Sequence, residues 1–205
     1  MGRLKNSLLT GRRRFVKALA VFTAGCIASG VFAFAQGKPS VLVVYYSRDG
    51  HTQLVAEKLA EKFGADIERL IDKKKRTGPI GSTAAGKDAI ARNTTKLEPL
   101  TLDPQKYDII LIGTPSWFSN VTPAVRTFVL ENDISQKKIG VFGTAHLTGI
   151  ESCLLQLSNL IVENKEDAEK MPKLALRHRD LEAEVLSEKI DAFYGQIMNP
   201  EEKND

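Results

Sequence analysis

The 205-residue chain is poor in the residues that usually announce chemistry of their own: two cysteines, three histidines and one tryptophan. Cys26 and Cys153 form no C-x-x-C pair, which excludes a dithiol redox centre and a zinc ribbon. The histidines, His51, His146 and His178, are too scattered for H-E-x-x-H, and there is no Ser-His-Asp order or paired-carboxylate constellation to suggest hydrolysis. No G-x-G-x-x-G follows any strand-like run, so a dinucleotide fingerprint is also missing. Repeats and low-complexity tracts are absent.

Positive charge is scarce too once the N-terminus is set aside. Residues 1–35 carry six Lys/Arg and no acid; of 29 basic residues that leaves 23 against 25 acidic ones, a net charge of −2. A body of that charge is no nucleic-acid binder, which needs a basic face to neutralise phosphates. The Lys73–Arg76 run reads as a solvated loop, or as a contact for an acidic partner or lipid headgroups.

The length fits one domain, residues 36–205, and an appendage, residues 1–35. The appendage has a basic start ending at Lys17, a charge-free apolar stretch from Ala18 to Phe34, and a small-x-small site at Ala33-Phe34-Ala35. Arg12 to Lys17, RRRFVK, resembles the twin-arginine export signal R-R-x-F-L-K, with Val for Leu. That resemblance implies bacterial export of an already folded protein, with its cofactor in place, to the periplasm or the outer face of the cytoplasmic membrane. Cleavage after Ala35 is the expected fate. Lipidation at Cys26, within the imperfect lipobox Thr23-Ala24-Gly25-Cys26, and membrane association through residues 18–35 are the alternatives. After cleavage Cys153 stands alone, so no internal disulfide can form.

Val41 to Tyr46, VLVVYY, is an unbroken apolar and aromatic run, the pattern of a strand buried on both faces. Val55, Leu59 and Phe63 then repeat at helical spacing with Ala56 and Ala60. Ser47 to Thr52 is therefore a strand-to-helix loop, where free backbone N–H groups and the helix dipole favour an anion. Ala65 to Ile71 reads as a second strand. Asp72 to Lys96 is connection plus a helix from about Thr83 to Arg92. Its GSTAAGKD (81–88) falls one residue short of a P-loop, has Asp88 where Ser or Thr would hold magnesium, and follows no buried strand. Asp108–Gly113, Lys138–Thr144 and Leu174–Leu176 are further strands, with helices after Asn120, after Gly149 and over Asp180–Met198; Lys165–Lys173 reads as a charged loop. Strands alternating with helices give an α/β fold, a doubly wound five-stranded parallel sheet in the order 2-1-3-4-5. In such sheets ligands bind outside the carboxyl ends of the strands, where the order reverses.

Over about residues 40–197 the chain resembles the flavodoxin family, through VVYYSRDGHT (43–52) and IGTPSWFSNVTPAVRTF (112–128). The resemblance implies non-covalent FMN. Ser47, Arg48, Asp49, Gly50, His51 and Thr52 would wrap its phosphate. Thr114, Pro115, Ser116, Trp117, Phe118, Ser119 and Asn120 would line the isoalloxazine, with Trp117 as the stacking ring. The loop from Thr144 through Ala145 and His146 to Gly149 would flank the other edge. The usual phosphate loop reads S-x-T-G-N-T; here Asp49 stands for Thr and His51 for Asn, so Asp49 must point outward, pair with Arg48 or His51, or, as the expected use, cap the helix. An R-D-G-x-T loop is also similar to that of flavodoxin-like protoporphyrinogen dehydrogenases. The loop AHLTGI (145–150) lacks the glycine pair common in relatives, and the body lacks the acidic surface of shuttle flavodoxins. His146 is either a ligand to flavin or substrate or a plain loop residue, His178 is read as structural, and Cys153 as a small core residue. The implied function is electron transfer, to a redox partner protein or a membrane quinone. A flavin-dependent quinone or NAD(P)H oxidoreductase and a non-redox binding module are the alternatives.

Overall fold

A computed structural model describes residues 37–76 and 78–200. The export-signal expectations, from the twin arginines to Cys26 and Ala35, lie outside the described residues. Three of the strands are the unbroken apolar runs: β1 (Val41–Tyr45), β3 (Ile109–Pro115) and β4 (Lys138–Ala145). Edge strands β2 (Asp66–Arg69) and β5 (Lys173–Arg177) complete a parallel sheet in the order β2-β1-β3-β4-β5, as expected. The register brings Tyr45 beside Gly113 and Gly113 beside Phe142, so β1, β3 and β4 end close to one line.

Helices cover both faces. On one, α1 (His51–Phe63) and α6 (Ala183–Met198) bury Val55, Leu59, Phe63, Ile190, Phe193 and Ile197 against the sheet. On the other, α3 (Pro123–Glu131) and α4 (Ile150–Ile161) bury Val125, Phe128, Leu154 and Leu157. Each such large apolar side chain contributes about 1.5–3 kcal/mol when fully buried. Close approach of the layers depends on glycines in the central strands. A Cβ on Gly140 would strike Ile197 and Phe193 of α6, and one on Gly143 would strike Ile150 of α4 and the carbonyl of Thr114. Gly113 gives its space to the Phe142 ring on the neighbouring strand.

Three elements depart from the sequence pattern. Helix α2 (Gly78–Ile90) begins ahead of the expected Thr83, and it swallows the P-loop-like stretch whole. Residues 165–170, expected as loop, form α5 (Lys165–Lys170). Asn164 caps it by accepting the Glu166 N–H at 2.9 Å, Glu166 and Asp167 favour its positive end, and Ala168 alone is buried. The final helix starts at Ala183, after a 3-10 turn over His178–Leu181.

These contacts separate two glycines. Gly113→Ala should destabilise the fold by about 1–3 kcal/mol through overpacking against Phe142. Gly195→Ala, on α6 where a Cβ meets nothing within 4 Å, should stabilise it by about 0.4–1 kcal/mol. Urea unfolding midpoints of the two variants check both signs.

Candidate functional site

β1 runs out into Tyr46 and Ser47, both buried. The Ser47 hydroxyl accepts the Gly50 N–H at 3.1 Å, and Gly50 turns the chain into α1 at φ 91°, a left-handed conformation that favours glycine. Among the described residues no side chain caps α1, and no acid lies in its first turn, so the N–H groups that open the helix have no side-chain acceptor there. A Cβ on Gly50 would meet nothing within 4 Å, so the space beside this turn is open. His51 and Thr52 lie in the helix, not in the loop. The Thr52 hydroxyl meets that of Thr144 at 2.8 Å, tying the first loop to the end of β4.

Asp49 is not the cap that the sequence suggested. Arg48 donates to it through Nη2 at 2.8 Å and Nε at 3.0 Å. This hydrogen bonding holds the Asp49 carboxyl below its usual range, and the Arg48 guanidinium above its own. The bidentate geometry wins because it satisfies the carboxylate beside the open helix end, where a free negative charge would oppose an anion.

After β3, the Thr114 hydroxyl turns inward to the Thr122 hydroxyl at 3.1 Å, away from solvent. The Ser116 N–H bonds to the Thr144 carbonyl at 2.8 Å, prolonging the β3–β4 ladder. Trp117 and Asn120 then exchange backbone hydrogen bonds at 3.1 and 3.0 Å across Phe118 and Ser119, whose φ angles are 52° and 60°. Two consecutive left-handed residues other than glycine cost on the order of 1–2 kcal/mol each. The strain is held by the Asn120 amide donating to the Phe118 carbonyl and by Gln156 of α4 donating to the Ser119 carbonyl. It leaves Phe118 73% exposed. Ser119 packs into the space left by the missing side chain of Gly149, the left-handed residue that opens α4.

Trp117 is only 8% exposed. The Tyr46 ring meets it edge-on at 5.6 Å, the Arg48 guanidinium lies 5.3 Å from its centroid, and that of Arg76 lies 6.0 Å away. Arg76 is buried between Asp72, bound through Nε, and Asp88 of α2, bound through Nη1 at 2.7 Å. Burial opposes the Arg76 charge, and the two carboxylates outweigh that and raise its pKa. Lys74 also reaches Asp88, at 2.6 Å, and with Arg76 holds the Asp88 carboxyl far below its usual range. This network fastens α2 beside the tryptophan.

Two cavities meet at Arg48 and Trp117. A polar one of about 280 Å³ takes Ser47 to Asp49, His51 and Thr52 from the first loop, Pro115 to Trp117 from the second, and Thr144 to His146 from the third. An apolar slot of about 480 Å³ runs from Trp117 and Phe118 to Gly86, Lys87 and Ile90 of α2. Of the residues singled out from the sequence, Phe118 lines only the slot and Gly50 shapes the turn beneath the polar cavity. Thr114, Ser119, Asn120 and Gly149 hold the backbone of the loops. Arg76, read from the sequence as part of a solvated run, is instead buried by its two carboxylate partners. The pattern gave no sign of the α2 side of the slot or of Arg69, which donates to the Ser47 carbonyl at 3.3 Å. Cys153 is buried in the core, and burial pushes its thiol up to about 12. It is therefore no nucleophile near neutrality. Among the described residues no group of acids, histidines and cysteine is arranged to hold a metal ion.

A family model described as flavodoxin matches residues 40–187. The fold is similar to that of a flavoprotein in complex with FMN from Lactobacillus acidophilus NCFM, at 20% identity, covering 73% of this chain and 99% of that one, with a TM-score of 0.52. It is also similar to a flavodoxin, WrbA-like protein from Agrobacterium tumefaciens, at 18% identity, 77% and 92% coverage and a TM-score of 0.50. Over 91 residues, 43% of the chain, the sequence is 31% identical to an NAD(P)H dehydrogenase (quinone) of Chromohalobacter salexigens, spanning 44% of that relative.

Removing one partner of the Arg76 network should be costly. Asp88→Asn should lower stability by roughly 2–3 kcal/mol at pH 7, less than for a wholly buried pair because Asp72 still holds Arg76. A carboxylate with a depressed pKa stabilises fully above the ordinary carboxylate range and loses that contribution as pH falls through the depressed value. Denaturant unfolding from pH 7 downward should show the wild type losing stability below about pH 4 relative to Asp88→Asn. Parallel pH curves would contradict the assignment.

Proposed function

The chain belongs to the flavodoxin family, and we propose that it is an FMN-binding redox protein. One observation carries the reading: an uncapped helix end and a set of hydroxyls form a polar cavity that meets an apolar, aromatic slot at Trp117. The residues fit the cofactor in two parts. The N–H groups opening α1, with the Ser47 and Thr52 hydroxyls, would hold a phosphate, since aligned backbone donors and the helix dipole both favour a dianion there. Trp117 and Phe118 would hold the flavin ring, and Arg48, which now covers Trp117, must yield part of that face. Bound there, FMN would supply electron transfer, one or two electrons at a time. The fold likeness to an FMN-containing flavoprotein supports the reading.

The 31% identity to an NAD(P)H dehydrogenase (quinone) favours a second reading, a quinone oxidoreductase. The slot supports it too, because a planar, apolar acceptor could approach the ring there. A redox partner protein or a membrane quinone is the proposed exchange partner.

Titration of the full chain by flavin fluorescence quenching tests the site. FMN should bind at least about tenfold more tightly than riboflavin, the phosphate interaction supplying the difference. Trp117→Ala should weaken both by tenfold or more, stacking being worth about 1–3 kcal/mol, with unchanged far-UV circular dichroism. Equal affinity for the two flavins would remove the phosphate cradle, and no binding would remove the proposal. Rapid NADPH-dependent quinone turnover by the purified protein would select the enzyme over the carrier.

We also propose folded export directed by residues 1–35. Arg12→Lys with Arg13→Lys should hold the protein in the cytoplasmic fraction while leaving FMN affinity unchanged; unaltered export would refute it.

A further inference from the structure

All three histidines of the chain meet at the phosphate end of the site. His51 opens α1, His146 follows β4, and His178 opens the turn after β5. The His178 ring centroid lies 5.2 Å from that of His51 and 5.5 Å from that of His146. His51 and His146 line the polar cavity, and all three rings face solvent. They are not arranged to share a metal ion.

We infer that His51, His146 and His178 form a phosphoryl-anion subsite that gains protons when it is filled. Where the anion is the phosphate of FMN, the inference rests on the proposed function. Imidazole changes charge between about pH 5 and 8, and neighbouring imidazoliums repel unless an anion lies among them. Of the carboxylates around the cluster, Asp49, Glu151 and Asp180 are each engaged by a basic group, and Glu182 follows the turn that His178 opens. Asp49, ahead of α1, is held by Arg48, and its charge also acts on His51. Glu151 of α4 is paired with Arg177 of β5. Asp180 accepts the Arg177 backbone N–H at 2.8 Å and faces Lys189 of α6. Arg179 adds a further positive charge on the same turn. Arg48, Arg177, Arg179 and Lys189 offset the carboxylates around the rings, and the opening of α1 beside His51 adds a positive dipole end. An arriving phosphate completes the charge balance.

Linkage makes this testable: if protonation of the cluster tightens phosphate, phosphate raises the proton affinity of the rings by the same factor. A phosphate monoester loses its second proton at about pH 6, so the window is pH 6 to 8. NMR of the full chain should show 20 mM inorganic phosphate moving the titration midpoints of the three rings upward together. FMN affinity should fall about tenfold between pH 6 and 8, while riboflavin affinity stays level. His178→Gln should flatten the FMN profile, and His178→Lys should restore affinity without the pH dependence, circular dichroism confirming that both fold. Rings that titrate independently of phosphate, with a level FMN profile, would overturn the subsite and leave FMN binding standing. Rings that respond to phosphate in a protein that binds no FMN would keep the subsite and remove the flavin reading.

Discussion

A sheet whose strands all run the same way must bury both faces, and this one does so under four long helices. Unpaired polar backbone is then pushed to the strand ends. At the carboxyl ends, β1 stops at the level of Gly113 and Phe142, and β3 and β4 run on only to Pro115 and Ala145, so the three ends lie close together. The packing around them rests on glycine. With side chains at positions 140 and 143 the helices could not close onto the sheet, and one at position 113 would displace the Phe142 ring on the next strand. The geometry of the site is thus a by-product of how tightly the core can pack.

The loops still need fixing once they have been brought together. Short hydrogen bonds do this on the polar side, Thr52 to Thr144 and Ser116 to the Thr144 carbonyl. On the apolar side the work falls to charge. Arg76 is sunk between two carboxylates and pressed toward Trp117, so the β2–β3 connection is fastened to the site by its most expensive residue to bury. Arg48 reaches the same ring where the two cavities meet, while tied to Asp49. One tryptophan therefore sits where a buried ion network, the Arg48–Asp49 pair and two cavities meet.

Much of this was legible in the sequence, and the physical reason is burial. VLVVYY, DIILIG and KIGVFGT are apolar without period, and only a strand covered on both faces tolerates that. Their order gave the sheet, and the small polar residues after them gave the loops. Segments held by polar or charged contacts were harder. KEDAEK (165–170) has one buried residue and no apolar stripe, so only its Asn164 cap could have betrayed a helix. Helix α2 is rich in glycine and takes its place from Asp88 meeting Arg76 and Lys74, contacts that sequence spacing does not display. Asp49 had two credible uses, and the Arg48 side chain decided between them. His178 looked structural because nothing in one dimension shows that the turn after β5 comes back to the start of α1.

Trp117 is also the chain's sole indole. Near-ultraviolet excitation selective for indole will therefore light a single position, the junction of the two cavities. Its emission reports on nothing else in the molecule: not on the α1–α6 layer, not on the edge strands. A guanidinium above the ring and a tyrosine against its edge make that emission sensitive to any displacement of Arg48. The protein carries its own optical probe at the place where a ligand's arrival would be felt first.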